Sequence, residues 1–164
     1  MEIKNVTVAG GGVLGSQIAL QSAYKGFKVK MWLRREDSIG RAKPKLERLH
    51  IIYKQTLEAM KTDPSAYCRG LADSPDVPAA TIDELIKRVD EAYESLVLTT
   101  DLHEAFADAD LAIEAIAEVI DEKDAFYSSL KDILPDHTIL CTNSSTLLPS
   151  EMMGFTGRPD KFLA

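Results

Sequence analysis

Apolar and polar positions along the chain follow two periods, and their order predicts a protein in which strands alternate with helices. Residues 6–9 form a short apolar run, and residues 27–33 alternate between apolar and polar as a strand does. Between them, residues 16–25 have helical spacing and stop at Gly26, a residue favoured just past a helix end. Strand, helix and strand within about 30 residues form a βαβ unit, whose strands should be parallel with a right-handed crossover.

Further strands and helices follow in the same alternating order. Strands are predicted over residues 96–99, 111–116, 138–142 and 161–164, and short helices over residues 101–106, 121–135 and 149–153. One helical excursion interrupts the alternation. It consists of a helix over residues 41–61, in which Pro44 should cause a kink or mark a late start, and a second helix opened by a capping box at residues 81–84. We therefore predict an α/β fold with a doubly wound, mainly parallel sheet and an inserted helical hairpin.

A glycine-rich turn joins the first strand to the first helix. Gly10, Gly12 and Gly15 have the spacing G-x-G-x-x-G, in which the first glycine permits a tight turn, the second a close approach of a pyrophosphate, and the third close packing of helix on sheet. The anion would then lie at the helix N-terminus, beside Val13 and Leu14. Glycines also punctuate ordinary loops, but the flanking strand and helix are those that a dinucleotide-binding turn requires.

The end of the second strand departs from the pattern of an NAD site. An NAD site usually has an Asp or Glu there to bind the adenosine ribose. This chain has Leu33, which cannot accept a hydrogen bond, followed by Arg34 and Arg35, whose planar guanidinium groups suit a phosphate. Either arginine is a candidate for the 2′-phosphate of NADP, or both are solvated residues balanced by neighbouring acids. NAD and NADP therefore both remain candidate cofactors.

Composition narrows the class of protein without defining its chemistry. The 164 residues suffice for one domain, and a formal net charge of −7 argues against nucleic acid as a partner. No apolar run approaches the roughly 18 residues of a membrane span, and no targeting segment precedes the first strand, so we expect a cytoplasmic protein without a membrane partner. Cys68 and Cys141 match no metal or redox spacing, which predicts free thiols and no metal site.

Several motifs in the chain together resemble the 3-hydroxyacyl-CoA dehydrogenase family. They are the glycine turn, residues 113–118 with Lys123, the run TNSSTL at 142–147 and the run GRPDKF at 157–162. The resemblance covers nearly the whole chain. Within the family, these motifs resemble those of the diketoreductase and 3-hydroxybutyryl-CoA dehydrogenase branch. It implies that residues 1–164 form a Rossmann-type cofactor domain, with Glu118 and Lys123 beside the nicotinamide ribose and with Asn143 and Ser145 bordering nicotinamide and substrate.

Each of these four residues also has an interpretation that needs no family. Glu118 at a strand end can accept two ribose hydroxyl bonds, or it can serve as a charge at a helix start. Lys123 can pair with the cofactor or simply lie in a first helical turn. Ser145 can donate to a substrate oxygen, although Ser and Asn at such positions also cap turns.

The resemblance also implies parts that these residues do not contain. The family's acid–base histidine follows the last predicted strand, beyond Ala164, and a helical domain after it closes the substrate site and forms a homodimer. None of His50, His103 and His137 matches that histidine. Because hydride transfer needs a proton partner for the alcohol oxygen, we expect these 164 residues to bind cofactor and to be inactive alone.

The leading hypothesis is therefore an NAD(P)-dependent oxidoreductase that interconverts 3-hydroxyacyl and 3-oxoacyl compounds, as CoA thioesters or as free acids. Asn143 and Ser145 would be its catalytic residues near the reacting oxygen. One alternative is a non-catalytic module that senses a dinucleotide. Another is a related dehydrogenase of diketo acids or of glycerol 3-phosphate, since residues 30–35 also resemble the second strand of glycerol-3-phosphate dehydrogenases.

Overall fold

One parallel six-stranded sheet forms the centre of the computed structural model, which describes residues 2–164. In chain order the strands are β1 (Asn5–Ala9), β2 (Lys28–Trp32), β3 (Val97–Thr99), β4 (Leu111–Glu114), β5 (Ile139–Thr142) and β6 (Phe162–Leu163). Across the sheet their order is β3-β2-β1-β4-β5-β6, and every neighbouring pair is parallel. The chain runs outward from β1 on one side and then outward from β4 on the other, which confirms the doubly wound, Rossmann-type prediction.

Helices cover both faces of this sheet. They are α1 (Val13–Tyr24), α2 (Glu36–Met60), α3 (Ala79–Ser95), α4 (Leu102–Phe106), α5 (Ile120–Leu130) and α6 (Pro149–Met152), with short 3-10 turns at Pro64–Ala66, Met153–Thr156 and Pro159–Lys161. Along β1, Val6 and Val8 pack in the core formed with α1 to α3, whereas Ala9 packs in the core formed with α4 to α6. Burial on both faces explains why residues 6–9 carry no charge and why the hydroxyl of the one polar residue among them, Thr7, donates to the carbonyl of Ala105.

The predicted helical hairpin is present as α2 and α3, which contact each other and α1. However, α2 begins at Glu36 rather than at residue 41 and continues through Pro44. Glu36 and Asp37 occupy its first turn, where the helix dipole favours carboxylates. The second helix begins at Ala79 rather than at the predicted capping box, because the carbonyl of Pro78 already accepts the first hydrogen bonds of the helix.

Nearer the carboxyl end of the chain, two predicted elements end earlier than expected, and one predicted strand is confirmed. β4 ends at Glu114 rather than at residue 116, because the N–H of Ile116 donates to the Glu114 carboxylate at 2.8 Å instead of continuing the sheet. α5 ends at Leu130, before the predicted stop at Pro135. The predicted final strand is confirmed, since β6 pairs with β5. Among the described residues, no helix combines the length and apolar character that crossing a membrane requires.

Candidate functional site

The glycine turn lies where the two halves of the sheet diverge, at the carboxyl ends of β1 and β4. Gly10 has a φ of +112°, and a Cβ there would lie 2.4 Å from the carbonyl oxygen of Ala115. A Cβ on Gly15 would lie 2.1 Å from the carbonyl oxygen of Gly10. Neither position therefore has room for a side chain, so these two glycines allow strand and helix to approach closely.

Gly12 is different, because a Cβ added to it would meet no atom within 4 Å. Its φ of −70° is accessible to any residue, so neither backbone strain nor internal packing requires glycine there. Its carbonyl accepts the first hydrogen bond of α1, from the N–H of Ser16 at 3.0 Å. The N–H groups of Val13 and Leu14 in the first turn consequently have no acceptor among residues 2–164. Gly12 thus opens a space that is lined by free N–H donors.

Two cavities meet at this turn and share Gly12 and residues 115–117. The β2-side cavity, of about 350 Å³, is lined by Gly10–Gly12, Trp32–Arg34, Ser38, Arg41, Ala115–Ala117 and Glu122. The β5-side cavity, of about 400 Å³, is lined by Gly12–Gly15, Ala115–Glu118, Asn143 and Ser145. A larger hollow of about 780 Å³ lies near the amino ends of β2 and β3 and contains none of the predicted site residues. Parallel sheets of this type bind ligands at the carboxyl ends of their strands, which favours the pair of cavities.

The β5-side cavity brings together three of the predicted site residues. Glu118 is an exposed carboxylate that accepts hydrogen bonds from Ser144 Oγ at 2.5 Å and Thr146 Oγ1 at 3.2 Å. Asn143 and Ser145 line the same cavity, and their side chains form no hydrogen bond within the described residues. The structure therefore presents an oriented carboxylate beside two free polar groups. The sequence motif contains Ser144 and Thr146 but gave no signal that they would orient Glu118.

The β2-side cavity separates the two candidate arginines. Leu33 is buried, and its side chain cannot accept a hydrogen bond from a ribose. Arg34 lines the cavity and donates to Glu122, whereas Arg35 is exposed, lies outside the cavity lining and contacts only Asp37, at 3.7 Å. Of the two arginines, only Arg34 therefore lines the cavity, and the role of each stays a prediction.

Ser38 and Arg41 of α2 also line the β2-side cavity, and neither was predicted from the sequence. Arg41 donates to Asp37 at 2.6 Å and to the hydroxyl of Ser38 at 2.8 Å. The spacing of Arg41 and Asp37, four residues apart, signals a helical pair. That signal was lost because the predicted helix began at residue 41.

Lys123 is paired with a buried carboxylate at the end of β4. Its side chain is fully buried, lines neither cavity, and donates to both oxygens of Glu114 at 2.6 Å. Glu114 also accepts hydrogen bonds from Tyr127 at 2.7 Å and Thr142 at 2.8 Å. Cofactor binding by Lys123 stays a prediction, and within the described residues its amine is connected to the site through Glu118, whose carboxylate lies 3.8 Å away.

The buried Glu114 cluster is a second feature that sequence analysis left without a role. Its signal was a carboxylate within an apolar strand, which must be paired if it is buried. Burial, together with the adjacent Glu114 carboxylate, raises the pKa of the Tyr127 phenol far above its ordinary value. Tyr127 therefore stays protonated and donates to Glu114. The cluster fixes the end of β4, and the residues that follow it, 115–117, line both cavities.

Histidines do not line either cavity within residues 2–164. His50 bonds Asp90 between α2 and α3, at 2.6 Å, and His103 is exposed on α4. His137 precedes β5, at the end of the sheet opposite the glycine turn, and contacts Asp110 at 3.0 Å. The described residues thus provide hydrogen-bonding groups at the site but no imidazole.

Comparison with known proteins identifies the family. Residues 5–164 match the family model described as 3-hydroxyacyl-CoA dehydrogenase, NAD binding domain. The chain belongs to this family. It is also 31% identical over 163 residues to the probable 3-hydroxybutyryl-CoA dehydrogenase of Bacillus subtilis (strain 168), covering 99% of this chain and 48% of that protein.

Two other similar proteins agree with this assignment. The mitochondrial hydroxyacyl-coenzyme A dehydrogenase of Rattus norvegicus is 29% identical over 160 residues, which cover 98% of this chain and 45% of that protein. A solved diketoreductase structure, described as acting on dicarbonyl compounds, has 38% identity and a TM-score of 0.78, covering 99% of this chain and 49% of that one. The chain therefore spans about half the length of each of these three relatives.

The residues present fit the dinucleotide that the family description names. The open space above Gly12 accommodates a pyrophosphate, and the first-turn N–H groups of α1 supply its donors. Cavities of comparable size lie on each side of this point. An NAD-binding domain, as the family assignment states, thus agrees with the donor set and the shape of the site.

Proposed function

We propose that the chain holds NAD(H) across the glycine turn, with the pyrophosphate over Gly12, the adenosine half in the β2-side cavity and the nicotinamide half in the β5-side cavity. The observation that carries this proposal is that Gly12 alone among the three motif glycines has empty space where a side chain would be. Because the protein does not use that space for its own packing, ligand approach is the physical reason for glycine there.

In this arrangement, the residues of the β5-side cavity bind and orient the reacting half of the cofactor. The Glu118 carboxylate, fixed by Ser144 and Thr146, accepts hydrogen bonds from the nicotinamide ribose hydroxyls. Asn143 and Ser145 are placed to donate to the carboxamide or to a substrate oxygen, since their side chains have no partner in the described chain. When bound, the nicotinamide ring supplies or accepts the hydride.

The proposed reaction of the whole enzyme is the interconversion of 3-hydroxyacyl and 3-oxoacyl compounds. Similar proteins carry names of 3-hydroxybutyryl-CoA and hydroxyacyl-coenzyme A dehydrogenases, while the diketoreductase acts on dicarbonyl compounds, so thioesters and free acids are both candidates. Ser145 and Asn143 would polarise the reacting oxygen. A histidine outside these 164 residues would move the proton, and a helical part would close the substrate site and form a dimer.

NADP(H) is the second candidate cofactor, and one observation favours it. Two guanidinium groups, from Arg34 and Arg41, line the β2-side cavity where a 2′-phosphate would lie, and the acidic residue expected at the end of β2 is replaced by Leu33. NADP(H) binding is consequently compared directly with NAD(H) binding in the tests below.

Fluorescence of the single tryptophan provides a direct binding test. Trp32 lines the β2-side cavity, and reduced nicotinamide absorbs in the range where tryptophan emits. We expect saturable quenching when NADH is titrated into the chain. No saturation up to about 1 mM, the upper end of ordinary substrate constants, would overturn the proposal.

The same protein also tests the acid–base argument. We expect the 164-residue chain to bind NADH but to show no oxidation of NADH when a 3-oxoacyl-CoA or a diketo acid is added, because its histidines lie away from Asn143 and Ser145. Turnover by this chain at a rate typical of enzymes, on the order of 10 per second, would refute the need for an additional histidine.

A further inference from the structure

The two walls of the β2-side cavity are joined by one ion pair. Arg34 follows directly after the buried Leu33 at the end of β2, and Glu122 lies in the first turn of α5. The Arg34 Nη2 atom lies 3.0 Å from Glu122 Oε2, and both residues line the cavity together with the glycine turn. Residues that are 88 positions apart in the chain therefore meet across the space proposed for adenosine.

This pair changes what Arg34 can offer to a ligand. A guanidinium group attracts a 2′-phosphate when its charge is uncompensated, but the Glu122 carboxylate already neutralises Arg34. The second guanidinium of the cavity is neutralised in the same way, since Arg41 is paired with Asp37 at 2.6 Å. Both guanidinium groups that line the adenosine end are thus paired with a carboxylate, which weakens their attraction for a phosphate dianion.

Glu122 also retains an acceptor that a ribose can use. Only Oε2 of its carboxylate is bonded, and Oε1 accepts no hydrogen bond within the described residues. Leu33, at the position where a carboxylate usually binds the ribose, cannot accept one. Glu122, in the first turn of α5 on the facing wall of the cavity, supplies a carboxylate acceptor instead.

We propose that Glu122 is the residue that selects NAD(H) over NADP(H) at this site: it accepts a hydrogen bond from the adenosine ribose, is oriented by Arg34, and repels a 2′-phosphate. This inference rests on the proposed dinucleotide site and adds its cofactor specificity. The ion pair is half exposed, with 52% and 41% of its side chains accessible, so it contributes little to stability and can be changed without loss of the fold.

Two variants separate this role from a general effect of charge. Glu122→Gln removes the carboxylate charge and releases Arg34, whereas Asp121→Asn removes an equal charge from the same first turn of α5 without touching Arg34. We expect Glu122→Gln to weaken NADH and strengthen NADPH, so that the ratio of their dissociation constants shifts by about tenfold. Asp121→Asn should change that ratio by less than about twofold, since exposed charges at greater distance are screened.

A third variant tests why NADPH should bind more tightly to Glu122→Gln. In Glu122→Gln combined with Arg34→Met, the gain in NADPH affinity should disappear, because it depends on the released guanidinium. If the gain persists, the proposed release of Arg34 is overturned.

The measurements are dissociation constants for NADH and NADPH, obtained from Trp32 fluorescence with each variant. Wild-type protein should bind NADH at least about tenfold tighter than NADPH. Preference of the wild type for NADPH, or the same ratio in Glu122→Gln and Asp121→Asn, would overturn this inference while leaving the dinucleotide site intact. Failure of the wild type to bind either dinucleotide would instead overturn the proposed function on which it rests.

Discussion

Replacement of Lys123 by methionine removes the ammonium group from the buried cluster at the end of β4 with little change in side-chain volume. Glu114 is 1% exposed, and it would keep three neutral donors, from Ile116, Tyr127 and Thr142, without a countercharge. Breaking a buried pair by removing one partner costs about 3–5 kcal/mol. At roughly 2–4 °C per kcal/mol for a domain of this size, the melting temperature should fall by about 10 °C.

A double-mutant cycle separates the ion pair from its surroundings. Glu114→Gln alone should also destabilise, because it leaves the Lys123 ammonium buried with only Glu118 nearby, at 3.8 Å. The double variant should cost less than the sum of the two single variants, with a coupling of about 2 kcal/mol or more.

Urea unfolding, followed by both fluorescence and circular dichroism, gives the required free energies. A loss below about 1 kcal/mol for Lys123→Met, or strict additivity in the cycle, would refute the argument that Lys123 is a buried structural partner of Glu114.

Three other predictions concern the stability of the fold. Gly15→Ala should prevent stable folding or cost several kcal/mol, because its Cβ would lie 2.1 Å from the Gly10 carbonyl oxygen; a native melting temperature would contradict this. Arg158→Met should cost about 2–3 kcal/mol in urea unfolding, since its guanidinium donates to the backbone carbonyls of Leu134, Pro135 and Thr138, and an unchanged midpoint would contradict it. The backbone N–H groups of Asn5 and Lys4 donate to the Asp110 carboxylate and lower its pKa, so Asp110→Asn should destabilise by about 1 kcal/mol at pH 7. Because that carboxylate has a lowered folded-state pKa, the difference from wild type should stay constant above about pH 5 and shrink as the pH falls further; a difference that widened there would contradict this.

Local pattern was sufficient to predict the elements that place the site. The alternation of strands with helices, the turn over residues 10–15 and the polar run after β5 each depend on neighbouring residues, and all were confirmed as structure. Because carboxyl ends of parallel strands share one edge, Glu118, Asn143 and Ser145 could be expected together, and they line one cavity. Their chemical roles stay predictions.

Pairings between distant elements could not be read from the sequence. The spacing between Lys123 and Glu118 is the same whether the lysine faces a cofactor or turns inward. Only the packed fold shows that its amine pairs with Glu114. Likewise, nothing near Arg34 in the chain indicates that its partner is Glu122, from the opposite wall, rather than Glu36, which bonds Thr100. Side-chain partners depend on tertiary packing, which periodicity does not encode.

The central claim, that the space above Gly12 exists for a dinucleotide, is tested most directly by Gly12→Ala. The added methyl group meets no protein atom within 4 Å and requires no unusual φ, so the free energy of unfolding should stay within about 1 kcal/mol of wild type. The methyl group would occupy the position of the pyrophosphate, so the dissociation constant for NADH, measured by calorimetry, should rise by at least about tenfold. A stably folded Gly12→Ala variant that binds NADH as tightly as the wild type would contradict the claim.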